Sequence, residues 1–149
     1  MSDRVSDFVI RRSYPHSRER MFRAWTIAEE LEKWFSPSLK NRVEATVDLR
    51  VGGRYQIAMI PPEGDAWIVG GEYRVIEPPE ELQFTWKWST DPTEGFGTLV
   101  TVLFHESDEG SEIELIHSGL ESQESHDNHG QGWTLCMNRL GEYLASRSI

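Results

Sequence analysis

Asp48-Leu49-Arg50-Val51-Gly52-Gly53-Arg54-Tyr55 decides the fold, because a glycine pair here separates two stretches in which apolar and polar residues alternate. Val43, Ala45 and Val47 precede it, and Tyr55, Ile57 and Met59 follow it, each set interleaved with charged, polar or small neighbours. Period-two alternation marks a half-buried strand, and adjacent glycines permit the positive backbone angles that a tight turn or bulge needs. The chain therefore folds back on itself here, and an antiparallel sheet follows.

The same period extends downstream. After the Pro61-Pro62-Glu63-Gly64-Asp65 turn, Trp67, Val69, Tyr73 and Val75 share one parity, opposite Glu72 and Arg74. Beyond Pro78-Pro79, Leu82, Phe84, Trp86 and Trp88 share a face against Gln83, Thr85 and Lys87. Val100, Val102 and Phe104 follow, and Glu109-Gly110 turns the chain into Ile113, Leu115 and His117. Six strands fit between Arg42 and His117, and their short connections predict a meander.

Upstream, Phe8-Val9-Ile10-Arg11-Arg12 reads as a first strand, ended by Tyr14-Pro15. Two short helices follow. Ser17 caps the first, which carries Met21, Phe22 and Trp25; Thr26 and Glu29 have capping-box spacing for the second, which carries Leu31, Trp34 and Phe35 and stops at Pro37. After the strands, Trp133, Met137, Leu140 and Leu144 form the stripe of one long helix, with Ser122 or Ser125 as its N-cap. Gly130 and Gly132 weaken that helix by up to about 1 kcal/mol each, which implies a packing reason or a later helix start.

The 149 residues fit a single domain, 1–149, with no linker or internal repeat, and bury roughly two thirds of the unfolded surface. One cysteine, Cys136, excludes an internal disulfide framework and agrees with a reducing compartment. No apolar run suits a signal peptide or a membrane span, so a soluble, cytoplasmic protein is expected. The net charge is -10, and no Lys or Arg lies between Lys87 and Arg139. Such a chain is a poor partner for nucleic acid or anionic membranes.

The order of strand, two short helices, six-stranded meander and long C-terminal helix resembles the helix-grip fold of the START-like (SRPBCC) superfamily. Trp34-Phe35-Ser36-Pro37, Asp48-Leu49-Arg50-Val51-Gly52-Gly53-Arg54, Glu77-Pro78-Pro79-Glu80-Glu81-Leu82 with Phe84-Thr85-Trp86, and Gly132-Trp133 are similar to blocks of its AHSA branch, relatives of the activator of heat-shock protein 90 ATPase. The resemblance implies an α+β fold: a curved antiparallel sheet of about seven strands wrapped around the C-terminal helix, with a cavity between them. It does not imply one chemistry, since the branch spans chaperone regulators, ligand-binding proteins and many members of unknown role.

The inward positions are strongly aromatic, and the cavity candidates are Tyr55, Trp67, Tyr73, Phe84, Trp86, His117, Trp133 and Met137. Trp67, Phe84, Trp86, Trp88 and Trp133 could stack a flat ligand or simply pack a core. His117 either orients a ligand or serves as a core histidine, and burial would keep it neutral, donating and accepting one hydrogen bond each. His126-Asp127-Asn128-His129 has metal-like spacing without a convincing third ligand and reads as a polar helix entrance. Cys136 has only Arg139 as a basic neighbour and reads as core. No phosphate loop, serine elbow or carboxylate pair is recognisable.

The expectation is a module that binds a small hydrophobic or aromatic molecule, as monomer or homodimer, with no cofactor and no metal. A chaperone-interacting regulator and a cavity enzyme of cyclase or hydrolase type using His117 are the alternatives.

Overall fold

The computed structural model describes residues 5–146. The elements run β1 (Phe8–Tyr14), α1 (Arg18–Thr26), α2 (Ala28–Trp34), β2 (Arg42–Val47), β3 (Arg54–Ile60), β4 (Trp67–Glu77), β5 (Glu81–Trp88), β6 (Thr98–Ser107), β7 (Gly110–Ser118) and α3 (Gln123–Ser146). Successive antiparallel hairpins lay β2 to β7 side by side, and β1 joins beyond β7, giving the order β1-β7-β6-β5-β4-β3-β2. The sheet curls as a half-barrel with α3 in its grip, the architecture that the alternation and the single long stripe predict.

The glycine stretch closes as a turn tied to the next hairpin. Gly52 adopts φ +86, and its N–H donates to the Tyr73 carbonyl at 2.9 Å, while the Tyr73 N–H donates to the Gly53 carbonyl at 2.9 Å. Gly53 is needed for a different reason: a Cβ there would stand 2.2 Å from the Asp48 carbonyl oxygen, whereas one on Gly52 would meet nothing within 4 Å.

Two local expectations are corrected. A bulge between Tyr73 and Val75 shifts the β4–β5 register by one residue, so Ile76 rather than Val75 packs on the core. Thr26 does not cap α2; it is still the last residue of α1, and its buried hydroxyl donates to the Phe22 carbonyl at 2.8 Å. Ile27 occupies the cap position with no side-chain bond. Ser17 does cap α1, accepting from the Arg20 N–H at 3.1 Å, and Ser122 accepts from the Ser125 N–H at 3.0 Å where α3 begins.

Trp133, Met137, Leu140 and Leu144 are all buried, each contributing roughly 1.5–3 kcal/mol before entropy is subtracted. Polar ties fix the helix over them. The Tyr14 hydroxyl donates to the Met137 carbonyl at 2.8 Å, and Arg139 donates to the Ser36 and Ser38 carbonyls at 3.3 and 3.2 Å, binding α3 to the loop after α2. The two helix glycines separate in role: a Cβ on Gly130 would lie 2.7 Å from the Phe8 ring, but one on Gly132 would meet nothing within 4 Å. No described helix is long and apolar enough to cross a membrane.

Replacing Gly53 by Ala should destabilise the protein by about 3 kcal/mol through a clash that backbone cannot relieve. Gly52→Ala should cost only about 1 kcal/mol, the strain of a left-handed residue in open space. Urea unfolding of the two variants measures the difference, and equal midpoints would contradict this turn geometry.

Candidate functional site

A cleft of about 460 Å³ opens between sheet and helix. Met59 of β3, Trp67 of β4 and Trp86 and Trp88 of β5 form one wall; Asn128, His129, Gly132, Trp133 and Cys136 of α3 form the other; Phe35, Pro37 and Asn41 close it from the loop between α2 and β2. That loop is held in shape by Ser36, whose Oγ accepts from Asn41 Nδ2 at 2.9 Å and from the Ser38 N–H at 3.2 Å. The rings pack edge to face or tilted rather than in flat stacks: Trp86 lies 5.0 Å from Trp133 at 47°, and 5.4 Å from Trp88 at 88°.

Two indole–imidazole hydrogen bonds tie α3 to the sheet. Trp133 Nε1–H donates to His117 Nδ1 at 3.0 Å. An indole nitrogen can only donate, so that imidazole nitrogen carries no proton and the neutral ring bears its hydrogen on Nε2. The Nε2–H then donates to Thr98 Oγ1 at 2.7 Å, and the Thr98 hydroxyl donates onward to the Trp86 carbonyl at 3.2 Å. His129 is the reverse tautomer. Trp88 Nε1–H donates to its Nε2 at 3.1 Å, leaving Nδ1–H to donate to the Ser125 carbonyl at 2.8 Å. The two imidazoles lie 4.8 Å apart, edge to face.

Protonating either ring would set a new N–H against an indole N–H. Burial lowers the His117 pKa to about 3, with His129 pushing it the same way; burial also lowers that of His129, against the opposing hydrogen bond to Ser125. Both side chains are therefore neutral at pH 7, with every ring nitrogen engaged.

The expected candidates divide between the cleft and the core. Trp67, Trp86 and Trp133 line the cleft, with Trp67 standing 62% exposed at its rim. His117 lies fully buried behind the wall and does not border it. Tyr55, Tyr73 and Phe84 sit lower on the same sheet face, where Trp25, Leu31 and Phe35 cover them around a void of about 10 Å³, too small to hold more than one water. The Tyr55 hydroxyl is spent on the Thr85 carbonyl at 2.6 Å. Met137 is wholly buried in the core.

Sequence reasoning did not place Phe35 or Met59 at the site, and it read His129 as part of a polar helix entrance, whereas the structure sets it half-buried in the cleft wall against Trp88. His129 had a signal: it stands four residues before Trp133 and extends the helix stripe by one step. His126 points elsewhere, against Phe8 and Asp127, and among the described residues no group of three or more His, Cys, Asp or Glu is placed to hold a metal ion. Cys136 is buried, and burial pushes its thiol up to about 12, Arg139 lowering it less. It is not poised as a nucleophile.

A second groove, about 560 Å³, adjoins the cleft and shares Trp67, Trp86, Trp88 and His129 with it. Its other side is the loop from β5 to β6, with Asp91 and Glu94, and the approach to α3, with Glu121.

Unfolding frees two imidazoles whose ordinary pKa is 6.5 and which the fold holds lower. The unfolded state therefore binds more protons, and stability should fall as pH drops from 6.5 toward 4. Each such histidine contributes up to about 1.4 kcal/mol per pH unit. Urea titrations at pH 7, 6 and 5, paired with an NMR titration of the imidazoles, measure this; unchanged stability over that window would contradict the buried neutral pair.

A family model described as activator of Hsp90 ATPase homolog 1-like protein matches residues 15–145. The solved AHSA1 protein from Silicibacter pomeroyi is 25% identical, over 95% of this chain and 99% of its own, with a TM-score of 0.84. A protein from Chromobacterium violaceum is 21% identical, over 93% and 96%, with a TM-score of 0.83. The AHSA1-like protein from Aeromonas hydrophila is 20% identical, over 95% and 93%, with a TM-score of 0.81. No curated protein matches. The helix-grip architecture and the extent of the family match lead to one conclusion: the chain belongs to the family of activator of Hsp90 ATPase homolog 1-like proteins within the SRPBCC superfamily.

Proposed function

We propose that this protein binds a small, largely apolar molecule, aromatic in part, in the cleft between β3–β5 and α3. The observation that carries the reading is the contrast along one sheet face. Under α1 and α2 the aromatic side chains close to a void of about 10 Å³, while toward the start of α3 a face of the same composition leaves about 460 Å³ open. Ligand sites fall roughly between 300 and 1,000 Å³ and are mainly apolar with a few placed polar groups, and Asn41, Asn128 and His129 are such groups here.

Gly132 supports the same reading. A glycine inside a helix costs up to about 1 kcal/mol against alanine, and no neighbouring atom requires it, yet it borders the cleft. Its missing side chain keeps space in the cleft. Nothing in the arrangement recommends acid–base catalysis by His117, whose two nitrogens are engaged by Trp133 and Thr98. A chaperone-docking role draws only on the family description.

Gly132→Leu provides the test. The neutral dye N-phenyl-1-naphthylamine should bind the wild-type protein saturably with enhanced emission, and Gly132→Leu should weaken it by about tenfold or more while stability in urea stays within about 1 kcal/mol. Equal binding by the two proteins would place the dye elsewhere. No binding by the wild type, together with a chaperone co-purifying from the native host, would replace this reading with the docking role.

A further inference from the structure

We propose that the molecule this site takes is an uncharged aromatic hydrogen-bond donor, a phenol or an aryl N–H compound, and that Asn41 Oδ1 is the acceptor that selects it. The inference rests on the small-molecule reading and narrows it. Asn41 closes the cleft from the loop between α2 and β2, and the hydrogen bonds of Ser36 orient its amide. Ser36 spends its hydroxyl proton on the Ser38 carbonyl at 3.1 Å. Its Oγ can then only accept from the Asn41 amide, so the atom 2.9 Å away is Nδ2. Oδ1 is thereby turned away from Ser36.

That oxygen is unpaired without being sealed in. No described residue donates to it. Among the described residues, the fully enclosed side-chain nitrogens and oxygens that lack a partner are Arg18 Nε, Arg20 Nη1, Trp25 Nε1 and Trp86 Nε1, and Asn41 Oδ1 is not one of them. The loop that carries it is held firmly: the Asn41 N–H donates to the Ser38 carbonyl at 3.3 Å, and Arg139 donates to the Ser36 and Ser38 carbonyls. A molecule that fills the cleft displaces solvent from this acceptor, and must give it a new donor or leave it desolvated and unpaired.

The other polar groups of the cleft leave this one as the discriminating contact. Trp88 and Trp133 give their indole N–H to His129 and His117, and His129 Nδ1–H goes to the Ser125 carbonyl. Asn128 is exposed and Trp67 stands at the rim, so solvent serves both with or without a ligand. Cys136 offers only a thiol, a weak donor and acceptor. No described Asp, Glu, Lys or Arg lines the cleft, so an ammonium or carboxylate brought into it would lose its hydration without a counter-charge. A phenol O–H or aryl N–H meets the acceptor at no such cost, and its ring suits the Phe35, Trp86 and Trp133 rings that line the same space.

Two probes of nearly one shape make the test: N-phenyl-1-naphthylamine, whose bridging N–H donates, and 1-phenoxynaphthalene, whose bridging oxygen cannot. The amine is titrated by its emission, and the ether by its displacement of the amine. The wild-type protein should bind the amine about fivefold more tightly than the ether, and in Asn41→Leu the two affinities should converge. Taking the ratio within each protein cancels any change that the substitution makes to the shape of the cleft. Equal affinities in the wild-type protein, or tighter binding of the ether, overturn the proposal and leave the small-molecule reading in place, and so does a preference for the amine that survives in Asn41→Leu. If Asn41→Leu does not fold, the wild-type ratio decides alone. Failure of both probes to bind removes both readings.

Discussion

The Trp133–His117 hydrogen bond is the constraint on which the rest of the arrangement depends. It is a polar contact between the helix and β7, one strand in from the sheet edge, surrounded by rings, and its donor and acceptor are each without a substitute. Sliding α3 by one turn would strand a buried indole N–H and an imidazole nitrogen, at about 1–3 kcal/mol each. Apolar packing alone tolerates such a slide far better, because Leu140 and Leu144 would find other aliphatic neighbours. The bond thus selects one seating of the helix, and the Tyr14 and Arg139 contacts hold it from the other end.

That seating determines where the interface closes and where it stays open. With Trp133 held against His117, its ring meets Trp86 and Phe35 and fills the centre of the grip. Beyond it the helix presents Gly132, Asn128 and His129, side chains too small or too committed to fill the remaining gap. The Trp88–His129 bond then fixes the far wall, so the cleft has walls that do not need a ligand to keep their shape. Such preorganisation favours binding, since less ordering is left to the moment of association.

Much of this was legible from residue order. Parity assigned the inward face of the strands apart from Val75, which lies past the bulge after Tyr73, and the four-three-four spacing of Trp133, Met137, Leu140 and Leu144 located the helix stripe. Parity identifies a face but not what lies over it. Tyr55, Tyr73 and Phe84 share the face of Trp86, yet α1 and α2 fold across them and leave Trp86 at the border of the open end. Thr26 failed as a cap because whether a chain has left one helix before entering the next is a backbone matter that residue type does not encode. The acidic tract likewise reads as one block in sequence but divides in space: Glu106, Asp108 and Glu109 gather at the β6–β7 turn, while Asp91, Glu94 and Glu121 gather at the opposite end of β6, by the groove.

The open end of the sheet–helix interface is proposed to hold a small molecule. Native mass spectrometry of protein purified gently from its own host, compared with a denatured sample of the same preparation, tests it most directly. The account predicts a reproducible excess over the 17.2 kDa chain that denaturation releases as a small organic species. A bare chain mass in every preparation, under conditions gentle enough to retain N-phenyl-1-naphthylamine added to the same protein, would contradict it.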